Sequence, residues 1–397
     1  MKKNNRKVQY MKRISTAWIG VGTLGLALVV SGVAPVTSAS AASAKNKTIS
    51  IGLDQTLSGP IAFVGTPELD GAKYAVKVIN ETHMLGRHVT LKLNVYDDQA
   101  TTQQGAINAN AIVSSKDVAM FGPILSQVGI ATTAITAKAK MLNVLTESSA
   151  VVLNSSNPNV YNLTSNGALS FTALAEYCQS QGVTSIAFVY DPIEANQPGL
   201  ITEATPIFAK YGVTKVTSYS VDSTNNSTFV PTATAIISSG AQAVDFIQPD
   251  VGPALLKELK QGGFTGVTMS YTVPPALFAS AGAAANGMVM PVSFTPLSVK
   301  TPVEAAFIKG YDATFKTTAN ANSAEAYDSI LFIATAIKNA KSVTRAAIDK
   351  AASALVKSRA GFTGVEGHFK FTNREGNLPT ILTIFGRLAT PVAVVNP

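Results

Sequence analysis

Two neighbouring carboxylates, Asp97–Asp98, close an alternating apolar stretch, and paired carboxylates can divide general acid and general base work. Adjacent residues on an extended chain point to opposite faces, so this pair reads as solvated or turn-capping rather than as a shared-proton dyad. The histidines, His83, His88 and His368, include no i,i+4 pair, and no metal site is expected. Cys178 is the only cysteine, which excludes an internal disulfide and any cysteine zinc site; helix packing is its expected role. There is no Gly-x-Ser-x-Gly elbow, and no histidine follows a strand-end serine closely enough for a triad. Gly20, Gly22 and Gly25 spell a dinucleotide-loop pattern, but no strand precedes it and no suitable acid follows. What remains is the glycine-bearing stretch IGLDQTLSGPIAFVG, residues 51–65. It lacks the lysine of a phosphate loop and the flanked serine of a nucleophile elbow, which leaves it as one wall of a small-molecule pocket. No catalytic constellation and no cofactor site is expected.

The elements that must position this loop follow from period switches. TISIGL (48–53) alternates as a strand, and GAKYAVKVINE (71–81) places Ala72, Ala75, Val76 and Ile79 on one helical face. Strand VTLKLNVY (89–96), a helix over 102–115, strand VAMFG (118–122), a helix over 127–140 and strand MLNVL (141–145) complete a first series. A second series runs through helix 168–181, SIAFVYD (185–191), helix 199–211, KVTSYSV (215–221), helix 229–239, AVDFIQ (243–248), helix 253–262 and VTMSY (267–271). After GMVMPVSF (287–294) come helical patterns at 302–316, 323–340 and 343–356, then HFKFT and LPTILTIFGRL (368–388), read as a closing hairpin. Strand–helix alternation with short loops predicts parallel sheets covered on both faces, here as two doubly wound α/β lobes. Ligands bind such sheets beyond the carboxyl ends of their strands, and two lobes facing each other there make a cleft.

The net charge of +8 does not point to a polyanion partner. Residues 1–13 carry six Lys or Arg, 17–30 form a short apolar run, and Ala-x-Ala steps at Ala39–Ala41 and Ala42–Ala44 follow. That order predicts a secretory signal peptide over 1–44, with an uncleaved membrane anchor as the alternative. The remaining chain holds 25 bases against 23 acids, a net of +2, so no nucleic-acid partner is expected. Val33 stands where a lipid-anchored protein would need a cysteine, so the expected location is exported, periplasmic or extracellular, without a lipid anchor.

The blocks LSGPIAFVGTPELDGAKYAVKVIN and LGRHVTLKLNVYDDQ, then FGPILS, IAFVYD, LLKELKQGGFTG and AEAYDSILFIATAI, occur in the order seen in one family. Over about 48–388 the chain resembles the type I periplasmic binding proteins, in the leucine/isoleucine/valine-binding branch that serves ABC importers. The resemblance implies two lobes joined by a three-segment hinge, with 46–165 and 292–362 in the first lobe and 166–291 and 363–397 in the second. It implies no enzyme activity, a small-molecule ligand trapped by hinge closure, an ABC permease as partner and a monomer.

In the family's amino-acid binders a serine after a Gly-x-x-x stretch holds the ligand carboxylate together with nearby backbone N–H groups. Gly122-Pro-Ile-Leu-Ser126 matches, implicating Ser126 and its neighbour Gln127; a helix N-cap is an equal reading of Ser126. The family's next contact aligns with Ser148, Ser149 and Ala150. Its pocket aromatic falls on Val64, with Phe63 adjacent, and its second-lobe tyrosine falls near Ala195. Tyr327 matches a tyrosine near the hinge and reads equally as a core residue. The glutamate that pairs with a ligand ammonium falls at about Thr272, beside Tyr271. A buried ammonium without a carboxylate partner is costly, so either Asp250 takes that role or the ligand has no ammonium. The implied cargo is a branched-chain or other amino acid; the alternatives are another carboxylate or an amide, for uptake or for sensing, and, from a different class, a secreted hydrolase.

Overall fold

The computed structural model describes residues 46–59, 62–146, 152–154, 156–164, 167–191, 197–221, 229–247, 252–271, 275–386 and 391–395. The expected signal peptide, 1–44, lies outside the described residues.

The first lobe is an eight-stranded mixed sheet. Its parallel part is β1 (Lys47–Gln55), β2 (Val89–Asp97), β3 (Ala119–Phe121), β4 (Leu142–Leu145) and β5 (Val160–Asn162), in the order 2-1-3-4-5. The helices α1 (Ala62–Glu81), α2 (Thr102–Ser114) and α3 (Ser126–Lys138) connect these strands. Strand order reverses between β1 and β3, the switch point at which a doubly wound sheet opens a crevice at its carboxyl edge. The second lobe repeats the plan: β6 (Ser185–Tyr190), β7 (Lys215–Ser220), β8 (Ala243–Phe246), β9 (Val267–Met269) and β10 (Met288–Val292) run parallel in the order 7-6-8-9-10. Its helices include α4 (Gly167–Ser180), α5 (Gln197–Lys210), α6 (Phe229–Ser238) and α7 (Gly252–Gln261). β3 is buried and apolar along its length, as a sheet covered on both faces favours, while β8 interrupts its apolar run with the buried Asp245.

The chain then returns to the first lobe as α8 (Pro302–Phe315), α9 (Ala321–Asn339) and α10 (Arg345–Lys357). Thr301 caps α8 in a reciprocal box with Glu304, with Pro302 at the first turn, while Asn320 and Thr344 cap α9 and α10. Ile330, Ile333 and Ala334 of α9 join Ala72, Ala75 and Ile79 of α1 and Ile51 and Leu53 of β1 in the main first-lobe core.

Two expectations need correction. The helix that carries the opening loop starts at Ala62, nine residues before Gly71, so Phe63, Val64 and Gly65 lie on helix and not on a loop. Pro67 hid this, since a proline reads as a breaker; here it removes one backbone donor near the helix start while Val64, Glu68, Ala72 and Ala75 share a buried stripe. The tail is also not one hairpin. β11 (Phe362–Thr363), β12 (His368–Thr372) and β13 (Glu375–Asn377) extend the first sheet, whereas β14 (Ile381–Phe385) and β15 (Pro391–Val395) extend the second. The β12–β13 turn is Asn373–Arg374, both with positive φ (50° and 71°), the geometry of a two-residue hairpin turn without its usual glycine. The Arg374 guanidinium fastens it to the carbonyls of Asn157 (2.6 Å), Val160 (2.8 Å) and Asn154 (2.8 Å). The third crossing therefore runs through 378–380, later than the 362/363 boundary expected.

Glu68 holds the α1 N-terminus to the sheet. Its buried carboxylate accepts from the Gln55 amide at the end of β1 and from the Thr146 hydroxyl just past β4, the latter at 2.6 Å. Replacing Glu68 by Ala leaves both donors buried without this acceptor, so Glu68→Ala is expected to destabilise by about 2–4 kcal/mol in denaturant unfolding, and Glu68→Gln by clearly less. An alanine variant as stable as wild type would remove this tie from the account.

A second buried acid, Asp245, lies in the middle of the second sheet, near the Tyr271 backbone N–H. Burial pushes its carboxyl up to about 8, above the unfolded value of 3.8, so the folded state holds this proton longer and stability falls as pH rises from about 4 towards 8. Asp245→Asn cannot ionise. Its advantage over wild type should widen by about 3–4 kcal/mol between pH 5 and pH 8 in paired melts, and a pH-independent gap would contradict the assignment.

Candidate functional site

The first-lobe crevice is built from the segments that leave β1, β2 and β3. Past β1 the chain turns through Thr56–Gly59, with Gly59 at φ 84°, and enters α1. Gly65 sits where α1 meets that turn: a Cβ there would lie 2.1 Å from the Thr56 carbonyl oxygen. The turn is tied down by the two carboxylates at the end of β2. Asp97 accepts from the Leu57 and Gln99 N–H groups, both at 2.9 Å, and Asp98 from the Thr56 hydroxyl (2.6 Å) and the Ala100 N–H (2.8 Å). The pair thus caps turns, as read from sequence, and it also anchors the loop of the neighbouring strand.

Their titration follows these environments. Burial pulls the Asp97 carboxyl upward, but hydrogen bonds from the Ser58 hydroxyl and from the Leu57, Gln99 and Ser58 N–H groups outweigh it, and its pKa lies below the usual value. Asp98 is raised, by burial first, against bonds from Thr56 and Ala100. Beneath them Asp54 is pushed up to about 8 by burial and by the charges of Asp98 and Asp97, against the Asn108 amide that bonds it at 2.7 Å. This buried Asp54–Asn108–Asp98 cluster was not anticipated from sequence. Asp54 sits at an ordinary position of an alternating strand, and only the partner Asn108, 54 residues away, marks it. Glu68 was missed for a simpler reason: with α1 carried back to Ala62, it falls on the apolar stripe, and an acid there is a signal.

β3 ends at Phe121, and Gly122–Leu125 lead into α3 through a cis Gly122–Pro123 bond. Gly122 has φ 93°, its N–H bonds the Val144 carbonyl at 2.8 Å, and a Cβ on it would lie 1.9 Å from the Asp54 carbonyl oxygen. Leu125, in extended conformation, is the N-cap of α3 and offers no side-chain cap. Ser126 is therefore the first helical residue and not the cap, which corrects the N-cap reading; it is half-buried, and Gln127 beside it is exposed. A helix N-terminus carries unsatisfied N–H groups and a positive dipole end, so a hydroxyl in its first turn at the carboxyl edge of a sheet can hold a small anion.

The other expected site residues separate into groups. Val64 is 7% exposed and Phe63 half-buried, both in the first turn of α1. Tyr271 stacks on Phe171 with ring centroids 4.4 Å apart and planes at 13°, which packs its ring against the second-lobe core. Tyr327 packs in an aromatic cluster, 5.0 Å from Phe307 and 5.7 Å from Tyr74, which favours the core reading of its two. Burial, with the charge of Asp328 next, pushes its hydroxyl up to about 12. Ser148, Ser149, Asp250 and Thr272 lie outside the described residues. Among the described residues no group of three or more His, Cys, Asp or Glu could hold a metal ion, and no helix is long and apolar enough to cross a membrane.

A family model described as "Periplasmic binding protein" matches residues 48–385. Among solved structures, the leucine-binding protein LivK of Thermotoga maritima superposes with a TM-score of 0.77 at 20% identity, over 88% of this chain and 99% of that one. The branched-chain amino acid transporter substrate-binding protein LivJ of Streptococcus pneumoniae, solved in complex with isoleucine, gives a TM-score of 0.76 at 19% identity, over 88% of this chain and 100% of that one. A solute-binding protein of an ABC transporter from R. palustris, solved in complex with 4-hydroxybenzoate, gives 0.73 at 18% identity, over 86% of this chain and 93% of that one. No curated protein sequence matches this chain. Identities this low carry the fold, and the family model carries the membership: the chain belongs to the periplasmic binding protein family, a solute-binding protein on a two-lobed α/β frame.

Proposed function

We propose that this protein is the extracytoplasmic solute-binding component of an ABC importer. It captures a small organic carboxylate between its lobes, closes around it, and presents the closed form to a membrane permease. The observation that carries this reading is the start of α3: Ser126 and the N–H groups of the first helical turn stand at the switch point of the first sheet, directly after the Gly122 turn. That arrangement suits a small carboxylate, which supports capture. Closure follows if the ligand binds the closed state more tightly than the open one, since only differential affinity shifts a hinge equilibrium.

A branched-chain amino acid is the first candidate, in line with the likeness to LivK and to the isoleucine complex of LivJ. A carboxylate without an ammonium group is the second. It is favoured by two observations: the aliphatic Val64 where the resemblance places an aromatic ring, and the Tyr271 ring engaged with Phe171 beside the position expected to hold an ammonium partner. The R. palustris relative, solved with 4-hydroxybenzoate, is a case of such a cargo on a similar frame.

Ser126→Ala is expected to weaken binding by about 1–2 kcal/mol, roughly five- to thirtyfold, with the melting temperature of the free protein little changed. Calorimetry showing unaltered affinity would take Ser126 out of the site. A thermal-shift screen decides the cargo: a ligand at about one hundred times its dissociation constant adds about 2.7 kcal/mol to stability. Leucine, isoleucine and valine all failing while 4-hydroxybenzoate or another simple acid stabilises the protein would end the amino-acid reading.

A further inference from the structure

A cavity of about 710 Å³ opens on the flank of the hinge, away from the Gly122–Ser126 turn. Its walls come from both lobes and from two of the crossings. Leu169 and Glu176 belong to α4 of the second lobe, His368 and Lys370 to β12 of the first, Phe294 to the segment after β10, and Leu378–Thr380 form the third crossing. The size falls within the range of about 300–1,000 Å³ typical of small-molecule pockets, which favour such places between lobes.

The charges around it are unevenly used. Two of the three acids of the wall have other work: Glu176 accepts from the Tyr211 hydroxyl at 2.9 Å, and Glu304 caps α8 through the Lys300 and Thr301 N–H groups. The third, Glu366, is held beside Asp328 by its backbone N–H, which donates to the Asp328 carboxyl at 3.0 Å. The two lysines, Lys300 and Lys370, do not take part in the ion pairs formed among the described residues, Lys73–Asp70 and Lys77–Glu81. Thr380, also in the wall, has a buried hydroxyl with no partner among the described residues. Apolar surface is concentrated at the same place: Leu169 in the wall, and Leu297, Val299 and Val303 next to it, are among the exposed large apolar side chains of the chain.

We infer that this hinge cavity is a second ligand site, for a small amphipathic carboxylate whose charge meets Lys300 and Lys370 and whose apolar body lies against Leu169, Phe294 and Leu378. Because both lobes and two crossings form the wall, a rotation of the lobes reshapes it, and an occupant biases closure by its differential affinity for the two states. The site stands without the cleft function proposed above; only its coupling to cleft binding rests on that reading.

The test uses the whole chain and four probes, hexanoate and benzoate with their neutral amides, followed by thermal shift and calorimetry. The acids should bind and the amides should not. Lys300→Ala with Lys370→Ala should weaken acid binding by about tenfold or more, while Ser126→Ala leaves it unchanged. Ser298→Cys, in the cavity wall, labelled with a bulky maleimide should abolish it; the native Cys178 is buried and stays unlabelled. Equal binding of the amides, no binding of either acid, or binding that survives the lysine variant and is lost with Ser126→Ala would overturn the site, the last because the acid then occupies the cleft. If the site holds and hexanoate leaves the affinity of the cleft ligand unchanged, the coupling is overturned and the site is not.

Discussion

Gly122 has no room for a side chain. Its missing Cβ is the space occupied by the Asp54 carbonyl oxygen, and its positive φ turns the chain from β3 into α3 within four residues. The rest of the candidate site depends on that approach. It brings the α3 N-terminus against the edge of β1, where Gln55 and Thr56 are in turn fixed by Glu68 and Asp98. A residue with a Cβ would push the two strand ends apart, and the Ser126 hydroxyl would move with α3. The start of α3 is therefore positioned here by backbone proximity first and by side chains second.

The buried acids around this edge then have a consistent explanation. Asp97, near solvent, is held ionised by four hydrogen bonds, while Asp54, one layer below, is held toward its protonated form by burial. The two outcomes separate neighbouring carboxylates into a turn cap and a neutral hydrogen-bonding group. Asp97 holds the loop from β1 through the Leu57 N–H, and Asp54 holds the Asn108 amide of α2, so both carboxylates serve the frame.

Much of the fold was legible in the sequence because its signals are local. Alternation marked β1, β2 and β6 to within a residue or two, and apolar spacing marked α9 and α10. The failures were places where tertiary contacts outweighed a local rule. The helical reading began at Gly71, yet the buried stripe from Val64 to Ala75 carries α1 back through Pro67 to Ala62. Asn373–Arg374 formed a hairpin turn without glycine, so β12 and β13 were joined in the reading to strands that belong to the other sheet. In the site, Ser126 could be found from its spacing to Gly122. Glu68, Asn108 and Thr146 could not, since their partners are 13 to 78 residues away and no short pattern records such pairs. Tyr271 and Tyr327 show the converse: a tyrosine at an expected position says little until its ring contacts are known.

Frame and cargo are therefore specified by different parts of the chain. The frame comes from long-range backbone packing, in which Gly65 against Thr56, Gly122 against Asp54 and the Arg374 clamp on the β4–β5 connection each fix where a strand edge lies. These contacts are indifferent to the ligand. Cargo depends on the few side chains that project from that edge, and these can change without altering any of those contacts. A buried ammonium must find an acceptor or go unbound, whereas an apolar tail needs only space, so losing an ammonium partner widens the range of acids such a frame can hold more readily than it dismantles the frame.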